Sequence, residues 1–153
     1  MKTLELKVPP VALVLMTAAA MALCARFLPA FNGLLPGRYV VAAVLAAAGF
    51  VISILGVVAF RRARTTVNPM MPNTSSSLVM SGVYRITRNP MYLGFLLILL
   101  GWGAFLSNGP AFALLPFFVL YMSRFQIRPE ERALESRFGG EFVSYRGRVR
   151  RWI

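Results

Sequence analysis

The chain has 153 residues, of which 58% are hydrophobic and only 14% charged, and its mean hydropathy is +0.65. A soluble domain of this size carries about 25% charged residues, so the composition excludes an ordinary water-soluble globule and indicates a membrane protein. Seventeen lysines and arginines face five acids, a formal net charge of +12, with no histidine and a single cysteine, Cys24; this counts against zinc, haem-type and Ser-His-Asp chemistry and excludes an internal disulfide.

A spanning helix needs about 20 mostly apolar residues, and four stretches meet or approach that length: 8–28, 39–60, 91–106 and 111–122. The first, with Lys2 and Lys7 ahead of it and alanines within it, also has features of a signal peptide, but its apolar run is longer than a usual h-region. The second carries Gly49, Ser53 and Gly56, small residues spaced for close helix packing in lipid. A loop over 61–90 follows, long for a small bundle, and long ordered loops are often functional. The last two spans are short and joined by Ser107-Asn108-Gly109-Pro110, a turn-forming string that predicts a tight helical hairpin. The tail 123–153 holds a helical stripe of Leu134, Phe138, Phe142, Tyr145 and Val149, with Arg132, Glu135, Arg137 and Glu141 on other faces and Gly139-Gly140 as an interruption. Such a helix lies on the membrane or folds over the bundle.

A charge of this size on a soluble protein points to nucleic acid, but here the basic residues lie between apolar runs. With both termini cytoplasmic, fifteen of the seventeen fall inside, leaving Arg26 and Arg38 outside, as the positive-inside rule requires. The expected architecture is therefore all-α: one polytopic membrane domain over 1–153 with four spans and an amphipathic cytoplasmic tail helix, of a length that suits a prokaryotic inner membrane.

Two segments concentrate chemistry. All five acids are glutamates, and Glu130, Glu131 and Glu135 lie just past the fourth span. Glu130 and Glu131 follow Pro129, where acids simply favour a helix start. The other segment, Ser81 to Gly94, gathers Tyr84, Arg85, Arg88, Asn89 and Tyr92 where the third span begins. Asn89-Pro90 suits a helix entry with Asn as the cap, and the tyrosines and arginines also fit as interfacial anchors. The combination is denser than anchoring requires.

Gly82-Val83-Tyr84, then Arg88-Asn89-Pro90-Met91-Tyr92-Leu93-Gly94, Pro129-Glu130-Glu131, Phe138-Gly139 and the Tyr145 to Val149 ending resemble the isoprenylcysteine carboxyl methyltransferase family, and the related membrane phospholipid methyltransferases share parts of the pattern. The resemblance covers roughly 66–152. It implies an integral membrane enzyme that uses S-adenosylmethionine and methylates a lipophilic or lipid substrate at the cytoplasmic face, with no metal and no nucleic-acid partner. It also implies that the cofactor is held by Ser76, Ser77, Leu78, Val79, Tyr84, Arg88, Asn89, Pro90, Met91, Tyr92 and Glu130. The sequence departs from the carboxyl methyltransferase branch at Asn89, often histidine there, and Asn-Pro-Met-Tyr is similar to the phospholipid branch. It departs again at Gln126, where a substrate-contacting arginine is expected, so that Arg124 or Arg128 takes that role.

The residues themselves are compatible with this chemistry. The cofactor carries a sulfonium, an ammonium, a carboxylate and an adenine, and Glu130, Arg88 and the two tyrosines supply complementary groups. Methyl transfer is an in-line displacement governed by alignment and water exclusion, which needs no histidine. A carboxylate acceptor requires only orientation by Arg124 or Arg128; an amine acceptor requires a base, Glu131 or Glu130. Isoprenylcysteine-type carboxyl methylation is the leading expectation. A phospholipid or lipid-amine N-methyltransferase and a non-catalytic membrane scaffold are the alternatives.

Overall fold

The computed structural model describes residues 5–33, 35–64 and 77–153, and every regular element among them is helical. In chain order these are α1 (Pro10–Phe27), α2 (Arg38–Arg62), α3 (Pro90–Leu106), α4 (Gly109–Phe112), α5 (Leu114–Tyr121), α6 (Arg128–Phe138) and α7 (Gly140–Arg148), with 3-10 turns over Pro29–Phe31 and Gly82–Arg85 and a π-helical turn over Met122–Ile127. Three helical runs, Pro10–Phe27, Arg38–Arg62 and Gly109–Phe138, are long and apolar enough to cross a membrane, and Pro90–Leu106 is a shorter apolar helix of 17 residues. Leu15, Met16, Phe50, Phe117 and Leu120 are each more than 60% exposed. Large apolar side chains at this density suit hydrocarbon rather than water, so the chain is an integral membrane protein.

Lipid supplies no hydrophobic force between helices, and close backbone approach supplies contact instead. The α2–α3 pair is built this way. A Cβ on Gly49 would lie 2.5 Å from the Gly94 carbonyl oxygen, and one on Gly101 would lie 2.8 Å from that of Ala42. The small residues of the second span thus pack as their spacing predicts, and the Gly94/Gly101 face is filled by α2. On the other side of α3, Tyr92 and Leu99 join Met21 of α1 and Leu115, Phe118, Met122 and Ile127 in one core. Trp102 Nε1–H donates to the Ala18 carbonyl at 3.0 Å, tying α3 to α1.

Asn108 organises the end of the bundle where α3 turns into α4. Its Oδ1 accepts the Ala111 N–H at 3.0 Å as a true N-cap, and its amide donates to Leu28 O and Asn32 Oδ1. The predicted hairpin turn is therefore also the clasp for the α1–α2 connection.

The helix of the fourth apolar stretch does not stop at Met122; it continues from Gly109 to Phe138, 30 residues. Two prolines shape it. Pro116 has no N–H to give Phe112 O, and the helix loosens at Ala113 between α4 and α5. Pro129 likewise gives nothing to Phe125 O, and there the chain widens into the π-helical turn while the Leu6 N–H, from the N-terminal segment, donates to Phe125 O at 3.0 Å. The spanning portion ends near this turn, because Arg128, Glu130, Glu131 and Arg132 then put four charges into five residues. Gly139, at φ 52 and ψ −124, adopts a conformation that glycine alone enters readily and separates α6 from α7. Phe142 and Tyr145 are buried, while Leu134, Phe138 and Val149 are half-buried, as the predicted stripe requires.

Candidate functional site

At the end of the bundle opposite Asn108, the start of α3, the turn before it, the start of α6, α7 and the C-terminal residues converge. Pro90 and Pro129 each pre-set the first turn of a helix. Those two first turns place Tyr92 against Glu130, and the Tyr92 hydroxyl donates to Glu130 Oε1. A 3-10 turn over Gly82–Arg85 buries Tyr84, whose ring meets Phe60 of α2 edge-on at 5.4 Å. The Tyr145 hydroxyl of α7 donates to the Tyr84 carbonyl at 2.7 Å.

Burial pushes the Glu130 carboxyl up to about 8; the Tyr92 hydrogen bond draws it down and the neighbouring Glu131 charge pushes it up. Burial also raises the Tyr84 phenol above its ordinary range and the Tyr145 phenol to about 12. Tyr84 feels the Glu130 charge and Tyr92 bonds to it, so these groups form one unit.

Beside them sits a three-residue ion cluster. Glu131 Oε1 is 3.1 Å from Arg88 Nη1, and the Arg151 guanidinium grips the same carboxylate at both oxygens, its Nε–H donating to Oε1 at 3.1 Å. The side chains of Arg88 and Glu131 are only 10% and 13% exposed. Arg88 is close to Glu131 without bonding to it: its Nε and Nη1 are buried and have no hydrogen-bond acceptor among the described residues. Burial draws the Arg88 guanidinium below its ordinary value, and Glu131 opposes that shift.

The C-terminal residues form a strap across the loop before α3. The Arg88 N–H donates to Arg150 O at 3.0 Å, and the Arg151 carbonyl accepts from Asn89 Nδ2 at 2.9 Å and from Thr87 Oγ1 at 3.3 Å. Trp152 Nε1–H donates to Ser123 Oγ in the π-helical turn. An N-terminal strap runs alongside: Glu5 pairs with Arg132, and Gln126 Nε2 donates to Val8 O at 2.7 Å.

Of the residues expected from sequence, Tyr84, Arg88, Tyr92, Glu130 and Glu131 come together. Asn89 stands at the N-cap of α3, but its side chain makes no cap and holds the strap instead, because the Arg151 carbonyl lies within its reach. Met91 faces α2 and, with Phe50, Ser53, Arg61 and Phe95, lines an apolar groove of about 390 Å³. Val79 is buried against Ala59 and Tyr84, Leu78 is half-buried beside it, and Ser77 Oγ donates to Ala63 O. Ser76 lies outside the described residues. Arg124 and Arg128 are exposed on the surface of the last helix. Arg151 and Trp152 carry the strap with no sequence signal beyond a place in an arginine-rich ending, and Thr87, which bonds to the strap from the loop before α3, has no signal of its own.

The fold and this cluster define a polytopic helical membrane protein with a buried, charged polar site at one end. The phospholipid methyltransferase family matches residues 37–141, and the chain belongs to that family of membrane methyltransferases, which use S-adenosylmethionine. A 63-residue stretch is 48% identical to a Haemophilus influenzae protein named only as uncharacterized; it is 41% of this chain and the whole of that protein. No solved structure matches. The matched segment includes Tyr84 to Glu131 and ends before Tyr145 and Arg151.

Proposed function

We propose that the protein transfers a methyl group from S-adenosylmethionine to a lipophilic acceptor at the cytoplasmic face of the membrane. The supporting observation is the buried cluster in which Tyr92 bonds Glu130 while Arg88, beside Glu131, keeps N–H groups without an acceptor. A buried donor without an acceptor is costly, and a zwitterionic amino-acid ligand completes such a site.

In this reading Arg88 takes the cofactor carboxylate, and Glu130 accepts from its ribose hydroxyls. Tyr84 and Tyr92 border the sulfonium and adenine, and Ser77, Leu78 and Val79 close the site with Asn89, Pro90 and Met91 as the entry to α3. When bound, the cofactor supplies a methyl carbon already activated by its sulfonium, so the protein aligns the acceptor and excludes water. The apolar groove beside Met91, with Arg61 at its edge, offers an acyl chain a resting place.

Among acceptors, a lipid amine fits better than a carboxylate. An ammonium headgroup must give up a proton before it attacks, and Glu130, pushed up to about 8, is in its ionised form a stronger base than an ordinary carboxylate. Glu131, with both oxygens facing guanidiniums, serves as a counter-charge instead of the base. Arg124 and Arg128, exposed near the end of the last span, suit the phosphate of a phospholipid acceptor.

The test follows labelled methyl from the cofactor into lipid extracted from membranes containing the protein. Stable label in headgroups supports the amine reading. Base-labile, volatile label indicates a methyl ester and an isoprenylcysteine-type carboxylate acceptor. No transfer to any lipid by folded protein contradicts the proposal.

A further inference from the structure

The strap contact between Arg151 and Glu131 reaches the candidate site from a residue that lies outside the matched family segment. Glu131 stands between two guanidiniums and bonds to one. Arg151 presents Nε–H and Nη2–H to its two oxygens, the bidentate geometry in which arginine holds a carboxylate most firmly. Arg88, at ion-pair distance but misdirected for a hydrogen bond, keeps two buried N–H groups unsatisfied. A carboxylate this close and not otherwise held would rotate to accept them.

We infer that Arg151 is a positioning residue: by occupying Glu131 it prevents an internal Arg88–Glu131 hydrogen-bonded pair and keeps Arg88 available for the carboxylate of an amino-acid-bearing ligand. The inference rests on the reading of this cluster as the S-adenosylmethionine site. The arrangement is built to last without the Arg151 side chain, because the strap is also held through the Arg151 and Arg150 carbonyls, by Asn89, Thr87 and the Arg88 N–H, and through Trp152. Truncating the side chain therefore releases Glu131 without releasing the chain.

Two nucleosides separate positioning from general structure. S-adenosylhomocysteine carries the amino-acid carboxylate, and 5′-methylthioadenosine carries the same adenosine and sulfur without it. Binding of each is measured by calorimetry on detergent-solubilised full-length protein, for wild type, Arg151→Met, Arg151→Lys, Glu131→Gln and the double variant Arg151→Met with Glu131→Gln. In Arg151→Met the Kd of S-adenosylhomocysteine rises about tenfold or more while that of methylthioadenosine moves by less than about twofold, the scale expected for loss of one charge-assisted contact. Lysine, which reaches one oxygen at a time, gives an intermediate value. The double variant binds S-adenosylhomocysteine more tightly than Arg151→Met does, because no carboxylate remains to capture Arg88, and Glu131→Gln alone completes the cycle; this non-additivity is the signature of coupling.

Equal weakening of both nucleosides in Arg151→Met, or a double variant no better than that single one, shows that Arg151 only anchors the strap and overturns the assignment while leaving the methyltransferase reading intact. Folded wild type that binds neither nucleoside overturns both.

Discussion

Glu130 is the residue at which burial, hydrogen bonding and charge meet, and its titration gives a stability test independent of activity. Its carboxyl is held above the ordinary 4.5, at about 8, chiefly by burial. The folded state thus binds a proton that the unfolded state releases between those values. The sign follows: its contribution to stability is fully present below about pH 4.5 and is lost as pH rises through about 8. Glu130→Gln, a neutral mimic, removes that dependence, so thermal midpoints in detergent should be similar at pH 4.5 and higher for the variant at pH 9. A variant less stable than wild type at pH 9 would contradict this placement. Tyr92→Phe removes the hydroxyl that draws Glu130 down and should extend the decline in stability to a higher pH than in wild type. Residues of this kind were legible because Arg88, Tyr92 and Glu130 sit in compact local motifs. Arg151 was not, because within Arg148-Val149-Arg150-Arg151 it is indistinguishable from the other basic charges of the tail, and only the return of the chain past α6 gives it a carboxylate. Asn89 shows the same limit: its position at the helix entry follows from Pro90, but the direction of its amide follows from a carbonyl 62 residues later.

Helices are positioned here by absences, of side chains in one case and of N–H groups in another. The α2–α3 interface depends on glycine at close approach, and a larger side chain meets backbone atoms that do not yield. Gly49→Val should cost about 1–3 kcal/mol, the scale of overpacking in a well-packed interior, read as a lowered midpoint of thermal unfolding. The same substitution at Gly109, where an added Cβ meets nothing within 4 Å, should leave stability nearly unchanged. The first three apolar stretches read from hydropathy lie within a few residues of the bounds of α1, α2 and α3. The continuation of the last helix past Met122 was not legible, because Arg124 and Pro129 look like a stop; the π-helical turn and the Leu6 N–H absorb what Pro129 lacks, and a contact between the two ends of the chain has no local signature. Gly139 was legible as a break, since the helical pattern on each side resumes with its stripe intact.

Across the described residues, the candidate site, the segment 77–89 and both straps gather at one end, and the Asn108 clasp marks the other. The charge excess read from composition has the same asymmetry, which predicts that the site end is cytoplasmic. With Cys24 replaced, single cysteines at exposed, open positions report the sides: Gly109→Cys should react with a membrane-impermeant maleimide in intact cells, and Gly147→Cys only after permeabilisation. The reverse pattern would contradict the orientation. The most direct test of the central claim is calorimetric titration of detergent-solubilised protein with S-adenosylhomocysteine. The account predicts saturable binding that Glu130→Ala and Tyr92→Ala each weaken about tenfold or more, the scale for losing a buried charged or hydrogen-bonded contact. Folded wild-type protein that shows no saturable heat, or variants that bind as wild type does, would contradict it.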